Sequence, residues 1–570
     1  MRDRRDFLGK LSAAALVGSS TAAGQTPGVG APTPTGAAES GFSNWVFDIT
    51  AFGARGDSLT LNTKAIQQAI DKCTGSGGGL VVVPPGRFLT GTLFLKSNVI
   101  LYLAPGATIL GSQNMADYAS VREKCPYAEP LNYCLIYADG AENVTITGKG
   151  AIDGNARPGQ FFRQLAGHQG LPERPMLLRF YNCRNVELSD VFLTGAGSWC
   201  THFSHTKNVK LDRVNIYNEI QDGFNIQSSE EFSISNCNLR CGDDGIALTT
   251  DGKESPLKNF VITNCIISSR WAAIRLGPLS RGNFENIAIS NCLFRACYGG
   301  GIKIGMFEGA EIRDLSAANL LMENVTAPVA VYLSSLPPIG LTGSQPEPIG
   351  QIRNLRFSNI RAIATGTPGA PWYPGERPGE GPDQSPNILL HGSPGHQIEN
   401  VTLSNVHITV PGGGSQAEAD RRDMPDFPDL PKDKTWPEHL AEWGVMPAYG
   451  LYARHVRALS LHQVRFDVAK PDARSAVFCN EAEGVELTSS KLDTTGNHRS
   501  PVTLRNVDGA LLNGCQSRGE SAAYVRVEGE RSRSISLLAN DLRTCETAAA
   551  TYDGALSAVV AGEANLLKLA

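Results

Sequence analysis

Two carboxylates stand side by side in "CGDDGIALTT": Asp243 and Asp244, between Gly242 and Gly245. A regular strand would send neighbouring side chains to opposite faces, and like charges held together raise each other's pKa. A third acid, Asp222 in "NEIQDGFNIQ", lies 21 residues earlier and is followed by Gly223. Gathered in one patch, three acids supply a protonated group and ionised neighbours. Hydrolysis of a glycosidic bond needs that set: a proton for the leaving oxygen and a carboxylate to activate water. Asp-Gly is also a common turn, so the chemistry depends on elements that bring the two segments together.

Those elements recur along the chain. "NVELSDVFLTG" starts at Asn185, "NVKLDRVNIYN" at Asn208, "EFSISNCNLRC" at Glu231, "NFVITNCIISS" at Asn259 and "NIAISNCLFRA" at Asn286, at spacings of 23, 23, 28 and 27 residues. Kindred segments run from "NVILYLAPGA" at Asn98 to "GVELTSSKL" at Gly484. Each is a short strand with alternating apolar residues, a turn and another short strand. A period of this size means a solenoid or a propeller, and propeller blades need about 40 residues or more. With no leucine framework and no long helical periodicity, the reading that remains is a parallel β-helix, one coil per repeat, with coils about 4.8 Å apart.

On such a stack, Asp222 and the acid pair fall on adjacent coils. Their glycines predict a kinked backbone that turns both acids of the pair into one groove. The pairs Asn236-Cys237, Asn264-Cys265 and Asn291-Cys292 share one angular position and predict an internal ladder of amides and thiols. "LNTKAIQQAIDKC", with Asn62 as N-cap, predicts an amphipathic helix that covers the N-terminal end of the stack. Two long excursions interrupt the coils: a Gly- and Pro-rich one at 366–387 and a charged one at 412–446.

The 570 residues are 41% hydrophobic and 19% charged, an ordinary globular composition rich in glycine. A charged start ("RDRRDFLGK"), a short apolar run and small residues give residues 1–23 the anatomy of a secretory signal, and Arg4-Arg5 followed by Phe7-Leu8 resembles a twin-arginine signal. We therefore expect a flexible linker over 24–43, a β-helix over 44–510, and further coils or a cap over 511–570. We expect a monomer exported to the periplasm or secreted, because no apolar run is long enough to span a bilayer. The formal charge of −5 grows more negative once the basic leader is removed, which argues against nucleic acid as partner. The 13 cysteines include no paired C-x-x-C zinc motif and read as reduced core residues.

Several of these motifs carry a resemblance. "FDITAFGARGDSLTLNTKAIQQAI", "FLKSNVILYLAPGATILGS", "RPMLLRFYNCRNVELSDV", "SWCTHF", "QDGFNI" and "CGDDGIAL" resemble successive segments of glycoside hydrolase family 28, the polygalacturonase family, over nearly all of residues 45–510. The resemblance implies an all-β, single-stranded right-handed parallel β-helix. It also implies inverting hydrolysis of pectic chains of galacturonan or rhamnogalacturonan type, with no cofactor and no metal. Asp243 would be the general acid, with Asp222 and Asp244 activating the water. Inversion in turn implies a gap of roughly 6.5–9.5 Å between acid and base.

The sequence departs from the family at two motifs. Ala272 stands where the Gly-His-Gly histidine is expected, and Gly301 replaces the arginine of Arg-Ile-Lys, leaving Lys303. Arg275 either substitutes as the carboxylate-binding cation or packs a coil. His202 is a candidate sugar contact or a core histidine. Two other readings use the same residues. A Ca²⁺-dependent lyase would recruit Asp222, Asp243, Asp244 and Arg275, and a non-catalytic carbohydrate-binding solenoid would leave the acid pair without a task.

Overall fold

The computed structural model describes residues 45–568 apart from 122–131, 157–173, 336–347, 367–384, 427–443, 494–499 and the single positions 219, 279 and 386. The predicted signal and linker, most of the first excursion and residues 427–443 of the second lie outside the described residues.

Residues 45 onward form one compact unit. It is a parallel β-helix, and every strand ladder in it is parallel. The early coils contribute three short strands to three sheets, as in Met176–Tyr181, Arg184–Ser189 and Phe192–Thr194, and later ones run two of them together into single strands such as Glu311–Val325 and Ile398–Gly412. The stack continues past residue 510 to the strand Leu566–Leu567. One helix, α1 (Thr63–Gly75), buries Ile66, Ala69, Ile70 and Cys73 against the first coil. Asn62 occupies its N-cap position, but its side chain makes no cap bond. The amide instead ties the backbone of Arg55, Thr60 and Leu89 together.

The leading asparagines of the repeat have a backbone reason. Asn98, Asn143, Asn185 and Asn208 all have φ between 56° and 64°, the left-handed region that asparagine tolerates better than other side chains. Their amides bond from coil to coil, Asn143 to Asn98 at 2.9 Å and Asn185 to Asn143 at 2.9 Å. The Asn-Cys expectation needs correction. Asn236, Asn264 and Asn291 are exposed, because the same left-handed bend turns their amides outward. Only the cysteines point in, and the twelve described cysteines are all buried and unpaired by disulfides.

One sheet carries the predicted acids at its edge. We label its strands β1 (Met176–Tyr181), β2 (Thr201–Ser204), β3 (Phe224–Gln227), β4 (Ile246–Thr249), β5 (Ala272–Leu276), β6 (Gly300–Met306), β7 (Val329–Leu333), β8 (Ile388–His391), β9 (Ala448–His462) and β10 (Ser475–Thr488). Its inward row stacks Phe180, Phe203, Ile226, Leu248, Leu276 and Ile304 in register. These apolar rows lock the coil-to-coil register, since a slip of one residue would turn every buried side chain outward. In the next sheet Phe232 and Phe260 stack at 4.8 Å and are almost completely buried. Truncating Phe260 to alanine should cost about 3–5 kcal/mol and lower the denaturant midpoint, whereas a surface residue of the same coil should not.

Candidate active site

The three acids converge. Asp222 precedes β3 and the acid pair precedes β4, two strands in direct register on adjacent coils. One carboxylate oxygen from each of Asp222, Asp243 and Asp244 lies within 4.8 Å of the others. This is closer than the 6.5–9.5 Å expected from the inverting reading. The cause is the tight coil spacing, and glycine permits it in a different way from the kink predicted above. Neither Gly223 nor Gly245 has a left-handed φ. A Cβ on Gly223 would lie 2.6 Å from the Gly245 carbonyl, and one on Gly245 would lie 2.4 Å from Ile267. The glycines are close-approach positions.

The acids are not equivalent. Asp244 is buried, accepts from the Ala272 backbone N–H at 3.0 Å and has Oδ2 2.5 Å from Nε of Arg275, an ion pair by distance. A cation and a backbone dipole both favour its ionised form. Asp222 is equally buried, accepting from Asn225 at 2.7 Å and from the Asp244 N–H at 3.2 Å. Burial, followed by the neighbouring Asp244 charge, pushes its pKa up to about 7, against the pull of Arg275. Asp243 is the partly exposed member, and its carbonyl accepts from the Ser269 hydroxyl. The same three oxygens could surround a divalent cation, but Arg275 already neutralises Asp244.

The remaining expected residues fall on one outward row of the same sheet. Arg179, His202, Asn225, Ala247, Arg275 and Lys303 follow one another in register from β1 to β6. Arg275 therefore belongs to the site, 15% exposed at its side chain. Lys303 sits one coil further on, buried, with its ammonium 5.6 Å from the Trp271 ring centre. His202 is buried against Trp199 at 5.2 Å. Burial, and then the Arg179 charge, hold its pKa well below the usual histidine range, so it is a neutral imidazole.

Sequence reasoning passed over Asn225, Gln221 and Arg179. Asn225 and Gln221 each keep a buried side-chain oxygen with no protein hydrogen-bond partner. The signal for Asn225 and Arg179 was the coil spacing itself: counting 23 residues from His202 in either direction lands on them.

The family profile described as glycosyl hydrolases family 28 matches residues 79–373, and the chain belongs to that family. A probable polygalacturonase from Vitis vinifera is 27% identical over 296 residues, 48% of this chain and 60% of that protein. An exo-poly-alpha-D-galacturonosidase from Dickeya chrysanthemi is 44% identical over 119 residues, 19% of each. The chain thus spans less than two thirds of the length of these relatives. In fold it is similar to an exopolygalacturonase from Thermotoga maritima (TM-score 0.57, 18% identity, 74% of this chain and 91% of that one). It is also similar to a family 28 exopolygalacturonase from Yersinia enterocolitica (TM-score 0.58, 20% identity, 78% of each).

The charge at Asp222 has a stability consequence. In the unfolded chain the group ionises near the usual 3.8, and in the folded protein near 7. Between those values the folded state binds more protons, so its contribution is favourable at low pH and is lost as pH rises through 7. Asp222→Asn should therefore raise the melting temperature at pH 8. The gain over wild type should shrink as pH falls toward 4. Melting curves of both proteins across that range check it, and a gain that grows on acidification would refute the assigned charge state.

Proposed function

We propose that the protein is a glycoside hydrolase that cleaves pectic chains of galacturonan or rhamnogalacturonan type with inversion. The observation that carries the reading is the convergence of Asp222, Asp243 and Asp244 within 4.8 Å beside the stacked cations Arg275 and Lys303. A glycosidase needs the acids, and a uronate substrate suits the cations. The names of the relatives, polygalacturonase and galacturonosidase, support the same substrate class.

In the proposed reaction, Asp243, at the solvent side of the trio, gives its proton to the glycosidic oxygen as the C1–O bond breaks. Water attacks C1 from the opposite face and passes its proton to Asp244, which Arg275 keeps ionised. Asp222 holds the same water. Asp222 and Asp244 are close enough to hold one water between them, because a water that donates to two oxygens at about 2.8 Å each fits between acceptors up to about 5.6 Å apart. His202 and Asn225 present neutral polar atoms to sugar hydroxyls. We also propose twin-arginine export, on the strength of Arg4-Arg5 and the apolar run that follows.

Incubation with polygalacturonate and with rhamnogalacturonan, followed by product sizing, tests the reaction. Asp243→Asn should keep the fold and lose about 10²–10⁴ in kcat. NMR of fresh product should show the inverted anomer, and retention or a trapped glycosyl–protein adduct would sink the mechanism.

Lys303→Ala should lose about 1.5–3 kcal/mol in transition-state binding, read as kcat/KM, on a uronate oligosaccharide. Its carboxyl-reduced counterpart should show no comparable loss. Equal behaviour of the two substrates would point to a neutral glycan.

A further inference from the structure

The three acids stand on turns, between strands that the apolar rows hold in register. Asp222 lies between the strand Asn215–Asn218 and β3, and the acid pair between Asn238–Cys241 and β4. The placing of their carboxylates therefore depends on what fixes the turns themselves.

One row of side chains lies at the root of these turns. Asn218, Cys241, Ser269 and Cys297 end four successive strands of one sheet, paired in register, and all four are buried. Cysteine fills such a position as a small apolar residue would. Asn218 and Ser269 are the polar members, and a buried amide or hydroxyl is unfavourable unless its hydrogen bonds are made.

Both make those bonds to the acid-bearing turns. The Asn218 Nδ2 group donates toward the carbonyls of Ser198, Gln221 and Asp222 at 3.0, 3.2 and 3.1 Å. Its own backbone carbonyl accepts from the N–H of Gly242, the residue before Asp243, at 2.8 Å. Asn218 thus ties together the coil before Asp222, the turn of Asp222 and the turn of the acid pair. Its Oδ1 is buried with no hydrogen-bond partner among the described residues, a cost that an apolar side chain would avoid. The amide is there for its donors.

Ser269 works from the next coil. Its hydroxyl donates to the Asp243 carbonyl and accepts from the Trp271 N–H at 2.9 Å. The residue after Trp271 is Ala272, whose N–H reaches Asp244 at 3.0 Å. One hydroxyl therefore anchors the backbone of Asp243 and the turn that brings a donor to Asp244.

We propose that Asn218 and Ser269 are positioning residues for the hydrolysis: buried away from the substrate, they hold the turns of Asp222 and of the Asp243–Asp244 pair in the arrangement that moves the protons. The proposal rests on the hydrolase reading above. A displacement of about 1 Å at reacting groups costs about 10²-fold in rate, so loss of either anchor should act on kcat.

The test compares variants of the full chain, under reductant, on the pectic substrate that the wild type cleaves. Ser269→Cys is the first, because Cys241 and Cys297 already fill the same row and a thiol is a weak donor. Its kcat should fall about 10²-fold while KM stays near the wild-type value. Ser269→Thr keeps the hydroxyl and should recover most of kcat. Asn218→Ala should show the same split as Ser269→Cys. Cys292→Ala, a buried change at another bend of the stack, should leave kcat unchanged.

Melting curves show that each variant is folded under assay. A folded Ser269→Cys protein with wild-type kcat would overturn the proposal and leave the hydrolase reading standing. An equal loss of kcat in Cys292→Ala would overturn it too, since the effect would then be a general response of the core. If Ser269→Thr or Asn218→Ala does not fold, Ser269→Cys against Cys292→Ala decides the matter. No cleavage of any pectic substrate by the wild type would overturn the hydrolase reading and this proposal with it.

Discussion

The site depends on placing two buried carboxylates, Asp222 and Asp244, one above the other on adjacent coils. Their mutual repulsion in a dry environment is unfavourable. Three features offset it. Arg275 lies against Asp244, backbone N–H groups of Ala272 and Asp244 point at the two carboxylates, and Asp222 is able to hold a proton near neutral pH. The protons of such a cluster belong to the group rather than to one residue. That suits the trio to the proposed transfer, a proton out at Asp243 and one in at Asp244.

The β-helix is what makes the crowding possible. Apolar rows on the inner faces and asparagine amides at the bends tie each coil to the next, and the coils approach at the spacing of backbone hydrogen bonds. At Gly223 and Gly245 the approach is so close that a single added carbon would strike a carbonyl. The rigidity of the stack therefore holds the acids together against their charge, and a flexible loop could not. The same register delivers Arg179, His202, Asn225, Arg275 and Lys303 to one line without any long-range contact being chosen individually. The described ends of the charged excursion use the opposite principle: Met424 and Met446 join a buried cluster with Tyr452 and Phe478, and Arg422 and Asp426 are fixed by specific ion pairs.

Two departures from sequence-based expectation are instructive. The asparagines before the cysteines looked like an internal ladder because they recur at one angular position. Angular position is shared by inside and outside alike, and the left-handed bend decides which. The glycines beside the acids looked like backbone kinks, and they are clearances. Both errors come from reading a residue type by its commonest property, when the neighbour on the next coil determines which property is used.

The repeat spacing and the alternation of apolar residues were enough, by themselves, to determine the coil architecture, because burial of one face per strand depends only on local pattern. The 21-residue offset between Asp222 and Asp243 likewise made the meeting of the acids legible, since it matches one coil. What only the tertiary structure decided were contacts between segments with no shared period. Arg275 chooses Asp244 as its partner through side-chain reach. Asp222 becomes the raised acid through burial. Residues 422–426 find the far sheet face, pairing Arg422 with a glutamate 106 positions away. A repeat fixes neighbours one period apart. It carries no information about an irregular insertion, whose resting place depends on which apolar surface and which buried charge the folded stack leaves for it.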